Sequence, residues 1–234
     1  PLYYCINAPM FPRVRHIAFN TEAERQLCRS VFGRFLAPYS IVGCGIEMAP
    51  EAEGSGGKAK YELPDEYVLY LGRVSKAKVD KLLPYFLRCK AKYGGDAKLV
   101  LVGGFENEIR KFDSPDILFT GYVSDEEKTA IVRHATVMVN PSPMESLSLL
   151  MLEGMQSRIP LLVNGRSKVM KDHCRLSGAG LWYNNGRDFR KKLHRLLSDP
   201  ELRRTMSEKG PAYVREHYDW EIIIPKLRTL IESI

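Results

Sequence analysis

Short apolar runs alternate with longer amphipathic segments along most of the chain, and this alternation constrains the fold more than any other feature. The apolar runs are YVLYLG at 67–72, KLVLVGG at 98–104, ILFTG at 117–121, TVMVNPS at 136–142, PLLVN at 160–164 and GLWY at 180–183. The intervening segments predict helices near 77–93, 124–134, 146–157 and 187–197. Apolar runs too short for helices, separated by helices, indicate parallel strands buried on both faces. The sequence therefore predicts an α/β protein with a doubly wound parallel sheet and helices on both faces.

A segment rich in glycine, serine and charge, PEAEGSGGKAK, divides the chain. Before it lie a β-like run, a helix for which Thr21 is the predicted N-cap, and a second β-like run. We expect three parts, namely a β-α-β-like leading fragment at 1–50, a linker at 51–61 and the main domain at 62–234. Because the chain begins with Pro1 and an aperiodic segment, we expect the leading fragment to be the remnant of a larger domain.

The composition of the 234 residues, 44% hydrophobic and 27% charged, is typical of a globular protein with a sizeable core. No stretch approaches the roughly 18 apolar residues of a membrane span, and the N-terminus lacks the layout of a secretory signal, so we expect a cytoplasmic protein. The cysteines are odd in number and include no C-x-x-C pair, which predicts reduced structural thiols rather than a metal site. They are Cys5, Cys28, Cys44, Cys89 and Cys174.

The chain carries 35 Lys and Arg against 28 Asp and Glu, a formal net charge of +7. Such a balance favours nucleic acid, a membrane surface or a phosphorylated small molecule as partner. The local excess of basic residues at 158–175 is sufficient for a small anionic ligand. Because no nucleic-acid-binding motif occurs, we expect no nucleic-acid partner, and a basic nucleic-acid-binding α/β module remains an alternative.

Two cations follow the first strand of the predicted sheet, where ligands of doubly wound sheets bind. Arg73 comes directly after Gly72, and Lys78 lies five residues further on. The arginine fork and the lysine point charge suit a diphosphate. Neither a G-x-G-x-x-G fingerprint nor a P-loop occurs in the chain. The loop therefore predicts a diphosphate site, with a solvated turn as the alternative.

Two glutamates flank the start of a helix that is apolar on nearly every side. Glu145 precedes the predicted helix and Glu153 lies in its middle, and eight helical residues place them about 12 Å apart along the axis. The free N–H groups between them favour phosphate. A nucleotide sugar, with hydroxyls at each end and a diphosphate between, matches this layout. Alternatively, Glu145 caps the helix and Glu153 pairs with a neighbouring cation.

From residue 62 onward the chain resembles the donor-binding C-terminal domain of glycosyltransferase family 4, a family of retaining enzymes with the two-domain GT-B architecture. The matching segments are the G-R-x-x-x-x-K loop at 72–78, KLVLVGG, FTGYVSDEE from Phe119, the block PSPMESLSLLMLEGMQSRIPLLVN with an E-x7-E motif, and HYDWE at 217–221. Residues 13–46 resemble the last strand, helix and strand of the family's N-terminal acceptor domain. The resemblance implies that the main domain is the Rossmann-like half of a GT-B fold.

The resemblance also implies roles for individual residues. Arg73, Lys78 and Glu145 would be catalytic, the two cations neutralising the donor's diphosphate and the carboxylate holding hydroxyls of the transferred sugar. Glu153 would hold the ribose hydroxyls. The remaining donor contacts would be Gly72, the backbone amides of Ser146, Leu147, Ser148 and Leu149, and the base-holding loop at Tyr122 and Val123.

The implied reaction is metal-independent, retaining transfer of a hexose from a nucleoside-diphosphate sugar, with no cofactor. The chain contains no D-x-D triplet of the kind that metal-dependent transferases use. A carbohydrate or lipid-linked acceptor would bind through the absent part of the N-terminal domain, so we expect this chain alone to be inactive. The family resemblance suggests polysaccharide biosynthesis and peripheral membrane association of the full-length enzyme. A sugar-nucleotide epimerase of GT-B architecture is a second alternative.

The chain departs from the family pattern at three points. Val79, not glycine, follows Lys78, and the E-G-F-G turn is replaced by E-S-L-S after the first glutamate. The loop predicted at 165–175 is basic where relatives carry glycines and a glutamate, which predicts a subgroup-specific role for Arg166, Lys168 and His173.

Overall fold

The computed structural model describes residues 8–33, 37–47, 60–104, 106 and 114–233. The strands are β1 (Ile17–Phe19), β2 (Tyr39–Ile41), β3 (Tyr67–Leu71), β4 (Lys98–Val102), β5 (Ile117–Gly121), β6 (Val137–Asn140), β7 (Leu161–Asn164) and β8 (Gly180–Tyr183). The helices are α1 (Glu22–Phe32), α2 (Lys76–Val79), α3 (Leu82–Tyr93), α4 (Asp125–Arg133), α5 (Leu149–Gln156), α6 (Lys168–Ser177), α7 (Gly186–Ser198), α8 (Pro200–Tyr218) and α9 (Trp220–Glu232), and a 3-10 helix spans Ala8–Arg13. None of the helices in these ranges has the length and hydropathy needed to span a membrane.

Strands β3 to β8 form one parallel sheet in the order β5-β4-β3-β6-β7-β8. The chain builds outward from β3 in one direction and then returns to place β6 on its other side, with Val68 beside Val137. This reversal creates a crevice outside the carboxyl ends of β3 and β6, the position where open α/β sheets bind ligands. The predicted doubly wound parallel sheet is confirmed.

Both faces of the sheet are covered, because alternate residues of each strand enter different cores. Tyr67 and Leu69 of β3 pack with α4, α5, α6 and α8, whereas Val68 and Tyr70 pack with α2, α3 and α7. These four side chains are at most 5% exposed. Burial on both sides explains why the strands are continuous apolar runs without polar alternation.

Three predictions about the helices are wrong. The helix expected at 77–93 is divided into α2 and α3, because Pro84 lacks the N–H that would bond the carbonyl of residue 80. Helix α5 begins at Leu149, three residues later than expected. The basic segment expected to be a loop at 165–175 is mostly helix α6, which the Ser167 side chain caps by accepting from the Met170 N–H.

The leading fragment has the expected β-α-β order, with β1 and β2 paired in parallel as a separate small sheet. It packs against the end of the chain, where Ile46 bridges to Asp219 and the backbone at Gly45 lies against the Trp220 ring. The HYDWE segment is therefore the junction of α8 and α9 that holds this fragment. The predicted linker at 51–61, apart from its last two residues, lies outside the described residues.

Candidate functional site

The loop after β3 is held in place by close backbone contacts. The Gly72 N–H donates to the Val102 carbonyl at 2.9 Å, and a Cβ atom on Gly103 would lie 2.3 Å from the Gly72 oxygen. Both glycines have positive φ, 134° and 128°, which side chains with a Cβ rarely adopt. The Tyr70 hydroxyl donates to the Arg73 carbonyl at 2.8 Å. These contacts fix Arg73 at the mouth of the crevice, where its side chain is exposed.

Lys78 and Glu145 meet across the crevice. The Lys78 Nζ lies 3.8 Å from Glu145 Oε1 and 3.5 Å from the Ser142 hydroxyl oxygen, to which it donates. Burial, together with the nearby Glu145 carboxylate, raises the pKa of Tyr70 to about 12, so its phenol stays protonated at neutral pH. The structure thus brings together the predicted lysine and first glutamate at the ends of β3 and β6.

A hydrogen-bond network shapes the segment that carries Glu145. The Asn140 side chain donates to the Ser148 hydroxyl at 3.0 Å and accepts from the Ser142 N–H at 3.0 Å. The Ser142 hydroxyl donates in turn to the Met144 carbonyl at 2.9 Å. Ser148 has φ +68°, a left-handed conformation that costs a residue with a Cβ about 1 kcal/mol. The E-S-L-S turn therefore keeps, without glycine, a backbone conformation that glycine adopts easily.

The late start of α5 corrects two expectations about this segment. Ser146 and Leu147 precede the helix and Ser148 is its N-cap residue, so only Leu149 of the four residues predicted to supply helical amides lies in the helix. Glu145 therefore neither caps α5 nor lies on its axis. The separation of about 12 Å calculated for a continuous helix does not apply to Glu145 and Glu153.

Glu153 lies on α5 and pairs with Lys128 of α4, at 3.3 Å between Nζ and Oε2. Both side chains remain accessible, 33% and 30% exposed respectively. They line a cavity of about 480 Å³ that also includes Leu149 at the start of α5 and Gly45 of the leading fragment. The cavity extends from the N-terminus of α5 to Glu153. The pairing of Glu153 with Lys128 is the one expected in the alternative interpretation, in which this glutamate pairs with a neighbouring cation.

The segment predicted to hold the base lies between β5 and α4. Tyr122 is 89% exposed, and its ring covers Gly104, where a Cβ atom would lie 2.6 Å from ring atoms. Val123 packs against the core. The next residue, Ser124, caps α4 in a reciprocal capping box with Glu127. An aromatic surface is thus displayed next to a firmly anchored helix N-terminus.

His173, expected in a basic loop, is instead buried in helix α6 at 2% exposure. Its Nδ1 lies 2.9 Å from the Tyr213 hydroxyl, and its Nε2 makes no hydrogen bond of normal geometry with the described residues. Burial lowers the pKa of His173 to about 4, although the Leu147 backbone, which faces the ring, raises it in part. A neutral imidazole therefore lies beneath the Glu145–Ser148 segment.

Sequence reasoning missed the residues that build the site rather than those that line it. Asn140, Ser142 and Tyr70 connect the strand ends to the loops, and Lys128 pairs with the second glutamate. Asn140 carried the clearest available signal, because a polar residue ends an otherwise buried apolar strand.

A doubly wound sheet with a cationic loop and a glutamate at its switch point defines an α/β protein with the ligand-binding arrangement of open parallel sheets. Residues 57–213 match the family model described as glycosyl transferases group 1. The chain belongs to this family, which does not favour the epimerase alternative.

Two curated relatives illustrate the match. The alpha-D-kanosaminyltransferase of Streptomyces kanamyceticus is 30% identical over 174 residues, covering 68% of this chain and 44% of the relative. The glycosyltransferase 1 domain-containing protein 1 of Xenopus tropicalis is 26% identical over 132 residues, covering 55% of this chain and 36% of the relative. The chain spans less than half the length of these curated relatives.

Solved structures share the fold at low identity. Sucrose-phosphate synthase from Thermosynechococcus elongatus superposes with a TM-score of 0.82 at 19% identity, covering 99% of this chain and 61% of that one. Anabaena HepE in complex with UDP-glucose gives a TM-score of 0.81 at 11% identity, covering 100% and 68%. The six-stranded parallel sheet and its flanking helices therefore match the Rossmann-like part of GT-B glycosyltransferase structures.

Proposed function

We propose that this chain is the donor-binding part of a retaining, family 4 glycosyltransferase that uses a nucleoside-diphosphate sugar. The observation that carries the proposal is the meeting of Lys78 and Glu145, 3.8 Å apart, at the switch point between β3 and β6. A cation and a carboxylate side by side in that crevice suit two chemically different parts of the donor, the charged diphosphate and the hydroxyl groups of the sugar.

In this proposal Arg73 and Lys78 bind the diphosphate, aided by backbone N–H groups near Leu149. Charge develops on the phosphate as the bond to the sugar breaks, and cations already held in place stabilise it without reorganising. No metal is required for this step. The departing phosphate accepts the proton of the acceptor hydroxyl, so the reaction needs no protein base. Glu145 accepts hydrogen bonds from hydroxyls of the transferred hexose.

The nucleoside end lies along α5. Glu153 accepts hydrogen bonds from the ribose hydroxyls in the 480 Å³ cavity, and the exposed Tyr122 ring stacks on the base. UDP-glucose, the ligand named for Anabaena HepE, is the first donor to test. Binding there requires Lys128 to share or release its contact with Glu153.

The acceptor, a carbohydrate or lipid-linked sugar, binds in this proposal through the larger part of an N-terminal domain, since the chain spans less than half the length of its curated relatives. We therefore expect donor binding with negligible transfer from the chain alone. The corresponding full-length enzyme would act in the cytoplasm, at the membrane periphery, in polysaccharide biosynthesis. Clear sugar transfer by the present chain would contradict the expected need for a second domain.

Calorimetry with UDP, GDP and ADP, each free and linked to glucose, tests the donor class, with EDTA present to test metal independence. We expect one base to be preferred and its affinity to survive EDTA. Single-stranded oligonucleotides are the matched test of the nucleic-acid alternative, which predicts binding that weakens steeply with salt. Tight oligonucleotide binding without any nucleoside-diphosphate binding would overturn the proposal.

A further inference from the structure

A second cavity, of about 580 Å³, opens beside Lys78 on the side away from Glu153. It lies at the carboxyl ends of β6, β7 and β8, bordered by the start of α3. Its lining includes Lys76, Lys78, Lys81, Tyr85, Arg166 and Tyr183. Apart from Lys78, none of these residues belongs to the donor site proposed above.

The charge of this cavity is strongly positive. Four cations line it, Lys76, Lys78, Lys81 and Arg166, against the single carboxylate of Asp80. Within the described part of the chain, Lys76, Lys81 and Arg166 form no ion pair, and all three are exposed. Cations that lack protein partners and converge on one concave surface favour an anionic ligand.

The wall of the cavity is suited to a sugar ring. Tyr85 packs edge-on against Tyr183 with ring centroids 6.4 Å apart, and the backbone at Gly186 abuts the Tyr85 ring. The ring is therefore held in position and presents an apolar face beside a phenol hydroxyl. The neighbouring asparagine side chains add amide groups to the lining. Aromatic and amide groups beside cations match a ligand that is part sugar and part anion.

We propose that this cavity binds a monosaccharide carrying a phosphoryl or carboxylate group, whose charge Lys81 and Arg166 neutralise. The proposal rests on the proposed function, since it places the anionic sugar next to the diphosphate-binding Lys78. Two sources supply this chemistry: an anionic acceptor sugar, whose other contacts come from the N-terminal domain, or a donor whose transferred sugar is itself anionic.

Two binding comparisons separate these sources. In the first, glucose 6-phosphate and glucose are titrated onto the chain saturated with the nucleoside diphosphate identified above. In the second, the glucuronate and glucose esters of that nucleoside diphosphate are compared. We expect about tenfold tighter binding of the anionic member in one comparison, as charge-assisted hydrogen bonds provide. The first comparison identifies an acceptor and the second a donor.

The variant K81A/R166A should abolish that preference while leaving binding of the free nucleoside diphosphate within about twofold. The matched control K191A/R195A removes the same charge from the exposed side of α7, outside the cavity, and should retain the preference. Equal binding of anionic and neutral members in both comparisons, or a preference that survives K81A/R166A, overturns the proposal. If no nucleoside diphosphate binds, the proposed function fails, and glucose 6-phosphate against glucose then tests the cavity by itself.

Discussion

Two lysine–glutamate pairs contain the glutamates of the proposed donor site, and they have the same composition but different surroundings. Lys78 and Glu145 come from two segments that meet at the switch point of the sheet, and the pair is 3.8 Å apart with Ser142 in contact. Lys128 and Glu153 lie on neighbouring helices, and the two charged groups are 3.3 Å apart. Glu145 is also the less accessible carboxylate, at 25% against 33% exposure.

The difference indicates how each pair is maintained. The first depends on loop geometry that Asn140, Ser142 and Tyr70 fix, whereas the second needs only two helices side by side. We infer that the Glu145 end of the proposed donor site, where Lys78 lies, is prearranged for the diphosphate and the transferred sugar. In the proposed complex, the Glu153 end of the site exchanges the contact with Lys128 for hydroxyl groups of the ligand.

Acid sensitivity at His173, whose ring faces the Leu147 backbone of the Glu145–Ser148 segment, is the largest effect expected. The folded-state pKa of about 4 lies below the usual 6.5, so the unfolded chain binds a proton that the folded chain excludes. Stability should therefore fall as the pH drops from about 6.5 to about 4, by up to about 3 kcal/mol. Urea unfolding at several pH values measures this loss.

His173→Gln serves as the control, because glutamine does not titrate yet still offers hydrogen-bonding groups to Tyr213 and Leu147. Asp172 and His217, which influence the imidazole, are retained in this variant. The variant should lose less stability than the parent chain over the same interval. An unchanged pH profile would show that other groups cause the acid sensitivity.

Lys78→Ala is expected to weaken binding of the nucleoside diphosphate about thirtyfold, because charge-assisted contacts to phosphate are lost. Lys128→Ala removes the same charge at the other pair and should change the affinity less than threefold, since its Nζ faces the proposed ribose site. Calorimetry measures the affinity of both variants. Equal losses of affinity would show that the two lysines contribute equally to nucleotide binding, contrary to the expected difference between the pairs.

The sequence predicted the sheet well because burial on both faces leaves an unambiguous record of apolar runs. It also placed Lys78 and Glu145 at the same crevice, since both follow strands that meet at the switch point. It could not reveal the left-handed Ser148 or the role of Asn140, because these depend on contacts between side chains and backbone that no periodicity encodes. Helix α6 was not predicted, because the many basic residues of the segment indicated a loop although Val169, Met170 and Cys174 form a buried face.

Glu153→Ala is expected to weaken binding of a ribonucleoside diphosphate about tenfold, as two hydroxyl contacts to a carboxylate are lost. The 2′-deoxy analogue should lose less. Glu145→Ala is the matched variant and should weaken sugar-linked nucleotides more than free ones. Equal losses for the ribose and deoxyribose ligands would place Glu153 outside the ribose site and leave its pairing with Lys128 as its role.

Substitutions at Ser148 test, with the smallest expected effect, whether loop geometry supports the Glu145 end. Ser148→Ala loses the hydrogen bond from Asn140 and keeps the left-handed strain, so the free energy of unfolding should fall by about 1 kcal/mol. Ser148→Gly loses the same bond but relieves the strain, so its stability should stay within about 0.5 kcal/mol of the parent. Urea unfolding of both variants decides: a glycine variant as unstable as the alanine variant would mean that the positive φ stores no strain.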